Sequence, residues 1–424
     1  MVYDFNGIKI TDDTREYKEG FLLLRTYQNS KFIQDQKTIT PKELIEQFEL
    51  DQVQVVGVTG TNGKTTTTAA IYSSLLDLGY KVALQGTRGF YIDDRLIAEK
   101  THTTPPLLQT LYHLFEAKKL GCDYFVMEVS SHAIAQNRIE SIDFALKVLT
   151  NITQDHLDYH KTMENYIGVK NSFFMDESNK LINKDEPKAL FNPKNARTYG
   201  IENMATYKVL AYSLEEGISA VVQFGSDVIE FFAPVLGLFN LYNLTAALAS
   251  VHMLTQKPLD LIAQTFENFG GVHGRMEIVS IDPLIVVDFA HTPDGMQKVF
   301  ESFAGKSIVA LFGAGGDRDR DKRALMGQMA AKYCTKIYLT SDNPRSEDPE
   351  VIIEDIAKGI KTDVKVEKIT DRKEAIQKAI EGLSEDEVLL LLGKGDEKYI
   401  EIGEKKIPHS DIEWAKECLK KRLA

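Results

Sequence analysis

A glycine-rich turn between an apolar run and a helical pattern is suited to holding phosphate groups. The run VQVVGVT (53–59) is followed by GTNGKTTT (60–67). Glycines let backbone N–H groups approach phosphate oxygens, and the helix that follows adds its positive N-terminal dipole. Lys64 supplies a charge toward the β- and γ-phosphates, and a threonine hydroxyl can bind Mg²⁺. Because Val58 stands where the common motif has its first glycine, only the GxxGKT core matches.

The structural alternative to a phosphate loop is a Gly- and Thr-rich helix cap. Strand, turn and helix all lie where nucleotide binding requires them, and this favours the phosphate loop. A nucleotide site alone is compatible with a motor, a switch, a kinase or a ligase. The residues predicted to contact the nucleotide here are Gly60, Thr61, Asn62, Gly63, Lys64, Thr65 and Thr66.

Acidic and histidine side chains follow two further apolar runs. These side chains are Glu128 and His132 after one run, and Asp155, His156, Asp158 and His160 after the other. Because ligands of open α/β sheets gather at the carboxyl ends of strands, we expect these groups to face the same crevice as Lys64. Carboxylate and imidazole groups near a triphosphate suggest Mg²⁺ ligands and phosphoryl transfer. For each histidine alone, a hydrogen-bonded structural role is the alternative.

The elements that must position these groups can be read from hydrophobic patterns. Continuous apolar runs predict strands buried on both faces, hence a mainly parallel sheet, at 53–59, 124–130, 146–151, 284–290, 307–313, 336–342 and 387–393. Amphipathic patterns predict helices within 64–79, 106–120, 241–256, 322–334, 350–360, 372–383 and 410–422. The alternation predicts an α/β fold.

Changes in the pattern of apolar runs and turn residues along the chain predict three domains. Residues 1–48 are too few for a sizeable core and predict a short N-terminal domain. Residues 49–278 predict a central parallel-sheet ATP-binding domain of the P-loop type, with a β-rich insertion or flap at about 178–235. A second α/β series predicts a Rossmann-like C-terminal domain over 279–424.

Composition excludes several classes of protein. The 424 residues include 50 Lys and Arg against 62 Asp and Glu, a net charge of −12, which argues against a nucleic-acid partner. The cysteines at 122, 334 and 418 are widely spaced, which predicts reduced thiols in a reducing compartment, the cytoplasm. The start MVYDFNGIKITDDT lacks the features of a signal peptide, and the longest apolar run, VLLLL, is too short to span a bilayer. We therefore expect no membrane insertion.

A series of segments resembles the Mur ligase family, with the best match to its UDP-N-acetylmuramoyl-tripeptide synthetase branch. The resemblance covers about residues 50–424, in the family's order and spacing. The segments are GTNGKTTT, THTTP (101–105), EVSSHAIAQNR (128–138), TNITQDHLDYHKTMENYIGVK (150–170), GLFNLYNLTAALA (237–249), HGRME (273–277), VVDFAHTPD (286–294), GAGGDRDRDKR (313–323), DNPR (342–345) and GKGDE (393–397).

The resemblance implies an ADP-forming ligase of peptidoglycan precursor synthesis. In this family ATP phosphorylates a substrate carboxylate, an amine attacks the acyl phosphate, and an amide, ADP and phosphate are released. The implied cofactors are ATP and Mg²⁺, and the implied substrates are a UDP-N-acetylmuramoyl dipeptide and meso-diaminopimelate. We expect a monomer that acts without a nucleic-acid partner.

The resemblance also implies roles for single residues. Lys64, Glu128, His156 and Lys170 are the implied catalytic residues: Thr65 and Glu128 hold one Mg²⁺, while His156, Glu128 and a carbamylated Lys170 hold a second. Asn240 and Asn243 match positions near the adenine, and Arg275, Asp288 and His291 match the part of the nucleotide site closed by the C-terminal domain. The contacts implied for the nucleotide-sugar peptide are Thr14, Thr103, Thr104, Ser130, Gln136 and Arg138.

The segment DNPR follows a predicted strand and is suited to an amino-acid substrate. Asp342 can accept from an ammonium group, Asn343 before Pro344 is biased to an extended conformation, and Arg345 matches a carboxylate bidentately. In the resembling enzymes this segment accompanies diaminopimelate, and lysine-adding members lack the arginine. The GKGDE loop would add Gly393 and Glu397, with Glu397 holding the far ammonium group. The alternative for Arg345 is a solvated surface ion pair.

Two features depart from the family pattern. The N-terminal domain, which holds the uridine end, is normally longer, and here Asp13-Thr14-Arg15 stands in place of Asp-Ser-Arg. Asp396 also replaces the histidine of Gly-Lys-Gly-His-Glu.

Three alternative functions stay open at this point. They are the same ligase with L-lysine, a ligase like folylpolyglutamate synthase or cyanophycin synthetase, and a nucleotide-dependent switch without ligation. EVSSHA together with HTTP and DNPR argues against the second alternative. A switch would have little use for Lys170 or for a separate amino-acid site.

Overall fold

The computed structural model describes residues 1–423, and its N-terminal part is a small sheet followed by one helix. The sheet has the strand order β1-β2-β3-β4, with β1 and β2 antiparallel and the other pairs parallel. The elements are β1 (Val2–Phe5), β2 (Ile8–Thr11), β3 (Leu22–Leu24), β4 (Thr38–Ile39) and α1 (Pro41–Gln47). Short 3-10 helices occupy Ser30–Phe32 and Leu50–Gln52.

The central part is built on a large sheet with helices on both faces. Its elements are β5 (Gln54–Thr59), α2 (Lys64–Asp77), β6 (Val82–Gly86), β7 (Gly89–Ile92), β8 (Arg95–Ala98), α3 (Leu107–Lys119), β9 (Tyr124–Glu128), α4 (Ser131–Ala135), β10 (Phe144–Leu149), α5 (Leu157–His160), α6 (Met163–Ser172), β11 (Lys180–Asn183), β12 (Ala196–Gly200), β13 (Tyr207–Ser213), β14 (Ile218–Phe224), β15 (Asp227–Ala233), α7 (Leu238–Thr255) and α8 (Leu259–Thr265), with a 3-10 turn at Phe266–Asn268.

The strand order of this sheet is β15-β14-β13-β12-β11-β10-β5-β9-β6-β7-β8. The run from β13 to β6 is parallel, and antiparallel strands close both edges. The strands within 178–235, where a β-rich insertion or flap was predicted, extend the central sheet beyond β10. Their backbone groups find hydrogen-bond partners in this sheet.

The C-terminal part holds a second, mostly parallel sheet of order β16-β17-β21-β18-β19-β20 and a small hairpin. Its elements are β16 (Glu277–Ile281), β17 (Leu284–Asp288), α9 (Pro293–Glu301), β18 (Ser307–Phe312), α10 (Asp321–Tyr333), β19 (Lys336–Leu339), α11 (Pro349–Ala357), β20 (Lys365–Lys368), α12 (Arg372–Glu381), β21 (Glu387–Leu392), β22 (Tyr399–Ile402), β23 (Lys405–Pro408) and α13 (Asp411–Leu423). The predicted α/β fold is confirmed, and the C-terminal sheet starts just before the boundary predicted at 279.

Apolar side chains from the short N-terminal part share a core with the central part. The Phe5 ring lies 5.1 Å from Phe48 and 5.0 Å from Phe115 of α3, measured between ring centroids. Leu24 and Leu44 belong to the same buried cluster. The N-terminal part is therefore anchored on the central part by apolar burial, which offsets its small size.

Among the described residues, none of the helices has the combination of length and hydrophobicity that crossing a bilayer requires.

Candidate active site

The turn between β5 and α2 has the shape of a phosphate-binding loop. A Cβ atom added at Gly60 would lie 1.8 Å from Thr150 Oγ1, and one added at Gly63 would lie 2.3 Å from Asn243 Oδ1. Neither position can therefore carry a side chain without moving the loop. The Lys64 ammonium group donates to the carbonyl oxygens of Gly60 and Thr61 at 2.8 and 2.9 Å. Burial lowers the pKa of Lys64, a cost that an anionic ligand would offset.

Glu128 and Thr65 meet beside this loop. Glu128 ends β9 and is buried, and its Oε2 accepts a hydrogen bond from Thr65 Oγ1 at 3.0 Å. Its Oε1 accepts from the Thr87 backbone N–H at 2.8 Å. These donors fix a carboxylate next to a hydroxyl, the pair of oxygen groups that a divalent cation at a phosphate loop uses.

His156 lies on the other side of the loop, where α5 begins. Its backbone is left-handed (φ 54°), and its Nε2 lies 3.4 Å from Asp155 Oδ2. Burial lowers the pKa of His156 to about 4, with Asp155 opposing the shift. The imidazole is thus neutral near pH 7 and free to act as a ligand or acceptor. His160 instead contacts Ser131 Oγ at 3.0 Å, which fits a structural role.

Lys170 is buried on α6, and its environment is unusual for a lysine. The residue is only 1 % exposed, and its Nζ lies 4.9 Å above the Tyr166 ring. Within the described residues its ammonium group forms neither a hydrogen bond nor an ion pair. Burial, and then the charge of Lys64, holds the pKa of Lys170 well below its ordinary value. The amine form of this side chain is therefore favoured over the ammonium form more than in an exposed lysine.

The described residues contain no group of three or more His, Cys, Asp or Glu side chains placed to hold a metal ion. The predicted metal-ligating set is different in kind, because it draws on a hydroxyl, one carboxylate, one imidazole and a modified lysine. Mg²⁺ at nucleotide sites usually keeps several water and phosphate ligands and takes only one or two from the protein. The donor set of Thr65, Glu128 and His156 fits that pattern.

Four of the residues predicted to contact the acceptor form one hydrogen-bonded group beside the end of β9. Arg138 donates to the Thr104 carbonyl at 2.7 Å and to Gln136 Oε1 at 2.6 Å. The Ser130 N–H donates to Thr104 Oγ1 at 2.9 Å. Thr103 lies near Thr87, at the wall of the cavity described below. Thr14 lies in a turn of the N-terminal part and is not brought into this group.

The residues predicted for the rest of the nucleotide site come from α7 and from the start of the C-terminal sheet. Asn240 is turned inward, donating to the Leu236 carbonyl and accepting from Asn243. Asp288 is buried and accepts from the Met276 and Ala290 N–H groups at 2.8 and 2.7 Å. Arg275 stacks on Phe289, 4.2 Å from the ring centroid.

His291 and Asp288 have pKa values shifted by their surroundings. Burial raises the pKa of Asp288, with Arg275 opposing the shift. Burial lowers the pKa of His291, and the charge of Lys322 acts in the same direction. His291 Nδ1 lies 2.8 Å from the Phe289 carbonyl, which orients its ring.

The DNPR and GKGDE segments meet at the carboxyl edge of the C-terminal sheet. The Lys394 ammonium group donates to Asn343 Oδ1 at 2.9 Å and to Glu397 Oε2 at 2.6 Å. Burial raises the pKa of Glu397, but Lys394 outweighs this effect and keeps the pKa below its ordinary value. A Cβ atom at Gly393 would lie 2.6 Å from Asp342 Oδ2, so the two loops are in close contact. Arg345 lies at the same edge.

One cavity of about 770 Å³ joins the phosphate loop to this second loop pair. It is lined by both halves of the molecule, so the groups predicted for the nucleotide and for an amino acid face a common space. The predicted residues that line it are Thr61, Asn62, Gly63, Lys64, Thr65, Thr66, Thr103, Glu128, His156, Asn243, Arg275, Asp288, His291, Asp342, Asn343, Arg345, Gly393 and Glu397. Predicted residues of the described chain outside this lining are Gly60, Thr14, Thr104, Ser130, Gln136, Arg138, Lys170, Asn240 and Pro344.

Several residues of the site were missed in the sequence. Asp185 follows β11 and accepts from the Ile201 and Glu202 N–H groups and from Tyr242, and it lines the cavity. The only feature of the sequence that could have identified Asp185 is its position just after a short strand, and that strand was not predicted separately. Arg318 and Lys322 also line the cavity and lie within GAGGDRDRDKR, a segment that was recognised without assigning a role.

Comparison with known proteins gives two family matches. Residues 58–251 match the Mur ligase middle domain, and residues 274–395 match the Mur ligase, glutamate ligase domain. A protein of Wolinella succinogenes is 56 % identical over 95 % of this chain and 94 % of its own length, and one of Helicobacter pylori is 52 % identical over 96 % and 95 %. Both relatives are named UDP-N-acetylmuramoyl-L-alanyl-D-glutamate–2,6-diaminopimelate ligase.

Solved structures give the same picture at the level of the fold. A structure of a UDP-N-acetylmuramoyl-L-alanyl-D-glutamate–2,6-diaminopimelate ligase covers all of both chains with a TM-score of 0.67 and 28 % identity. The Yersinia pestis folylpolyglutamate synthase/dihydrofolate synthase, complexed with AMPPNP and Mn, has a TM-score of 0.65 at 21 % identity, covering 83 % of this chain and 89 % of that one. The second likeness concerns the fold alone.

Proposed function

The chain belongs to the Mur ligase family, and from this premise we propose that it adds meso-diaminopimelate to UDP-N-acetylmuramoyl-L-alanyl-D-glutamate. The reaction is an ATP-dependent amide ligation in peptidoglycan precursor synthesis, and it yields ADP and phosphate. The observation that carries the proposal is the common cavity, in which a phosphate loop and a site with both acidic and basic groups face each other. The relatives at 56 % and 52 % identity bear the name of this activity.

The chemistry requires two anions, a carboxylate and a triphosphate, to approach each other. The backbone of the phosphate loop and Lys64 hold the phosphates, because the Lys64 ammonium group can exchange its bonds to loop carbonyls for bonds to a better acceptor. The γ-phosphoryl group of ATP passes to the acceptor carboxylate, giving an acyl phosphate and ADP. The amine of the amino acid then attacks the acyl carbon, the new C–N bond forms, the nitrogen loses a proton, and phosphate leaves with its bonding electron pair.

Mg²⁺ is the proposed cation at this site. Thr65 and Glu128 are the residues that would hold one ion, and His156, Glu128 and Lys170 those that would hold a second. When bound, the ion neutralises phosphate charge and polarises the phosphoryl oxygens. The neutral His156 imidazole is available as a ligand, and the hydrogen bond from Thr65 fixes the position of the Glu128 side chain.

Lys170 takes part as a carbamate in this proposal. A buried neutral amine can attack CO₂, forming an N–C bond and losing a proton, and the product offers two hard oxygen atoms. Lys170 has the burial and the lowered pKa that favour this reaction. Burial, and then the charge of Lys64, disfavours an ammonium group at Lys170, whereas a carbamate carries the opposite charge.

Substrate binding divides between the two halves of the chain. The group of Thr104, Ser130, Gln136 and Arg138, with Thr103, is proposed to hold the acceptor peptide. Asp342, Asn343, Arg345 and Glu397 are proposed to hold the amino acid. All these residues lie on one chain, so we propose that a monomer is competent.

The test is product analysis by mass spectrometry. Purified protein is incubated with ATP, Mg²⁺, UDP-N-acetylmuramoyl-L-alanyl-D-glutamate and either meso-diaminopimelate or L-lysine, with Lys64→Ala as the inactive control. We expect the diaminopimelate adduct and ADP, and an activity loss on the order of 10²–10³ in the variant. Formation of AMP and pyrophosphate, or equal use of lysine, would contradict the proposal.

A further inference from the structure

Arg345 is held by the hairpin formed by β22 and β23. Its N–H donates to the Glu401 carbonyl at 3.0 Å, and its own carbonyl accepts from the Gly403 N–H at 2.7 Å. The side chain of Arg345 contacts the same residue, because its Nε donates to Glu401 Oε2 at 3.1 Å. One residue of the hairpin therefore fixes both the backbone and the guanidinium group of Arg345.

The backbone of Arg345 is strained in a way that this hairpin maintains. Its φ is 52°, in the left-handed region that non-glycine residues seldom occupy. Such conformations persist only where the surroundings impose them, and they concentrate at ligand sites. The Glu401 N–H also donates to Asn343 Oδ1 at 2.9 Å, so the hairpin is attached to the loop at two points.

The guanidinium group of Arg345 uses only part of its hydrogen-bonding capacity on the described protein groups. An arginine side chain has five N–H donors. In Arg345 one is taken by Glu401 and one by the Gly316 carbonyl, which accepts from Nη1 at 2.6 Å. In the part of the chain that the structure describes, the Nη2 donors and the second Nη1 donor have no acceptor, and Nη1 and Nη2 together can hold a carboxylate bidentately. Arg345 lines the cavity, where such a carboxylate would lie.

We propose that Glu401 is a positioning residue for diaminopimelate selection, which aims the Arg345 fork at the distal carboxylate of the amino acid. This inference rests on the function proposed above and adds a residue to it. Glu401 occupies the Nε edge of the guanidinium group, so a ligand carboxylate is directed to the Nη edge. Lysine has no distal carboxylate and gains nothing from this arrangement.

The role of the Glu401 side chain can be tested by a substitution that leaves the backbone contacts of the hairpin in place. Its backbone makes the hydrogen bonds that attach the hairpin, and these remain in Glu401→Ala. The side chain is 32 % exposed, so its removal leaves no large cavity. Glu404 on the same hairpin is exposed and is the matched control.

The experiment measures kcat and KM for meso-diaminopimelate and L-lysine in wild type, Glu401→Ala, Glu401→Gln and Glu404→Ala, with ATP and acceptor saturating. We expect Glu401→Ala to raise KM for diaminopimelate about tenfold, the scale of one lost charge-assisted hydrogen bond, with kcat changed less than about twofold. Glu401→Gln keeps an acceptor oxygen and should recover most of the loss, and Glu404→Ala should match wild type. The weak use of lysine should stay unchanged in all four proteins.

The outcomes separate this inference from the proposed function. If wild type forms no diaminopimelate adduct, the function fails and Glu401 has no substrate to select. If wild type is active but Glu401→Ala keeps or lowers its KM for diaminopimelate, Glu401 does not position Arg345. If Glu401→Ala instead lowers kcat, raises KM for ATP and lowers the melting temperature together, Glu401 has a merely structural role. That result would also overturn the inference.

Discussion

At the scale of single residues, the proposed reaction depends on charges that the fold has desolvated before any substrate binds. Lys64 and Lys170 both have lowered pKa values because of burial, and Asp155 opposes the shift for each. Folding meets the cost of removing Lys64 from water, so binding of an anion beside it regains part of that cost. The residues most sensitive to substitution should therefore be buried ones with few protein partners.

Lys170 is the first such residue. We expect Lys170→Ala to lose activity by about 10²–10³-fold, since it removes ligand oxygens near the phosphates. Short carboxylates such as acetate should restore part of the activity by taking the place of the carbamate, and wild type should weaken in CO₂-free buffer and recover with bicarbonate. Steady-state rates measure both effects, with the exposed Lys119→Ala as control. A bare Lys170 amine in a crystal structure of an active, nucleotide-bound complex would contradict the role.

A second prediction at this scale concerns Arg345. Binding of lysine would leave its guanidinium group desolvated without a distal carboxylate to pair with, so we expect wild type to prefer diaminopimelate strongly. Loss of one partner of a buried charge pair costs about 2–5 kcal/mol, or roughly thirty-fold to several thousand-fold in kcat/KM. In Arg345→Ala the preference should mostly disappear, while Arg320→Ala, an exposed arginine in the neighbouring segment, should keep it. The measurement is the ratio of kcat/KM for diaminopimelate to kcat/KM for lysine. If Arg345→Ala keeps the full preference for diaminopimelate, Arg345 does not select the amino acid.

At the scale of elements, the site is built from strand ends, and this explains what the sequence could predict. Strands such as β5 and β21 are buried on both faces, so their apolar runs are continuous and easy to recognise. The groups after β9 and β10 could be placed together because parallel strands share a carboxyl edge. Strands β11 and β12 escaped separate prediction because they are short and contain lysine, arginine or asparagine.

Helix α6 marks the limit of pattern-based prediction. It buries Lys170 and Asn171 beside Tyr166, so its polar residues do not mark its exposed face. A lysine turned inward has no signature in composition or periodicity, and Lys170 was found only through resemblance to a family. Asp294 and Glu401 were not predicted at all, because their partners are distant in the chain.

An ion pair connects the elements beneath the amino-acid loops and gives a stability prediction. Arg372 of α12 donates to both carboxylate oxygens of Asp411 of α13, at 2.8 and 2.6 Å, and both residues are fully buried. The same guanidinium group donates to the Ser341 and Leu392 carbonyls, next to DNPR and GKGDE. Asp411→Asn should leave a buried cation unpaired and destabilise this part of the protein by about 3–5 kcal/mol.

The pH dependence of this contribution follows from the pKa of Asp411. Burial raises that pKa, but Arg372 outweighs the effect and lowers it far below the ordinary value. The folded state therefore binds fewer protons, so the stabilisation is complete above about pH 4 and is lost as the pH falls further toward the folded pKa. Denaturant unfolding followed by Trp414 can measure it, because this single tryptophan bonds to the Lys373 carbonyl across the two helices. Glu374→Gln, which alters an exposed ion pair, should leave the free energy of unfolding nearly unchanged. A denaturation midpoint for Asp411→Asn equal to that of wild type would contradict the stabilising role of the Arg372–Asp411 pair.

At the scale of the whole molecule, the two halves meet at the phosphate loop. Asp294, at the start of α9, accepts from Asn62 Nδ2 at 2.9 Å and from Thr153 Oγ1 at 3.1 Å. Lys298 pairs with the same carboxylate at 3.1 Å. The position of the C-terminal sheet is thereby coupled to the loop proposed to bind nucleotide, and we expect domain closure to bring the amine to the acyl phosphate.

Closure should therefore depend on Asp294. In Asp294→Ala the two hydrogen bonds from the central part are lost, so we expect a larger radius of gyration without ligands and a KM for ATP raised about three- to tenfold. An ATP analogue with the acceptor should restore the compact form, because ligand contacts replace the missing bonds. Small-angle scattering with and without these ligands measures the change. Asp294→Asn, which keeps one acceptor oxygen, should be intermediate, and the exposed Glu267→Ala should match wild type. If wild type and Asp294→Ala scatter identically in both conditions, the two halves are permanently docked and the amino acid must enter a closed site.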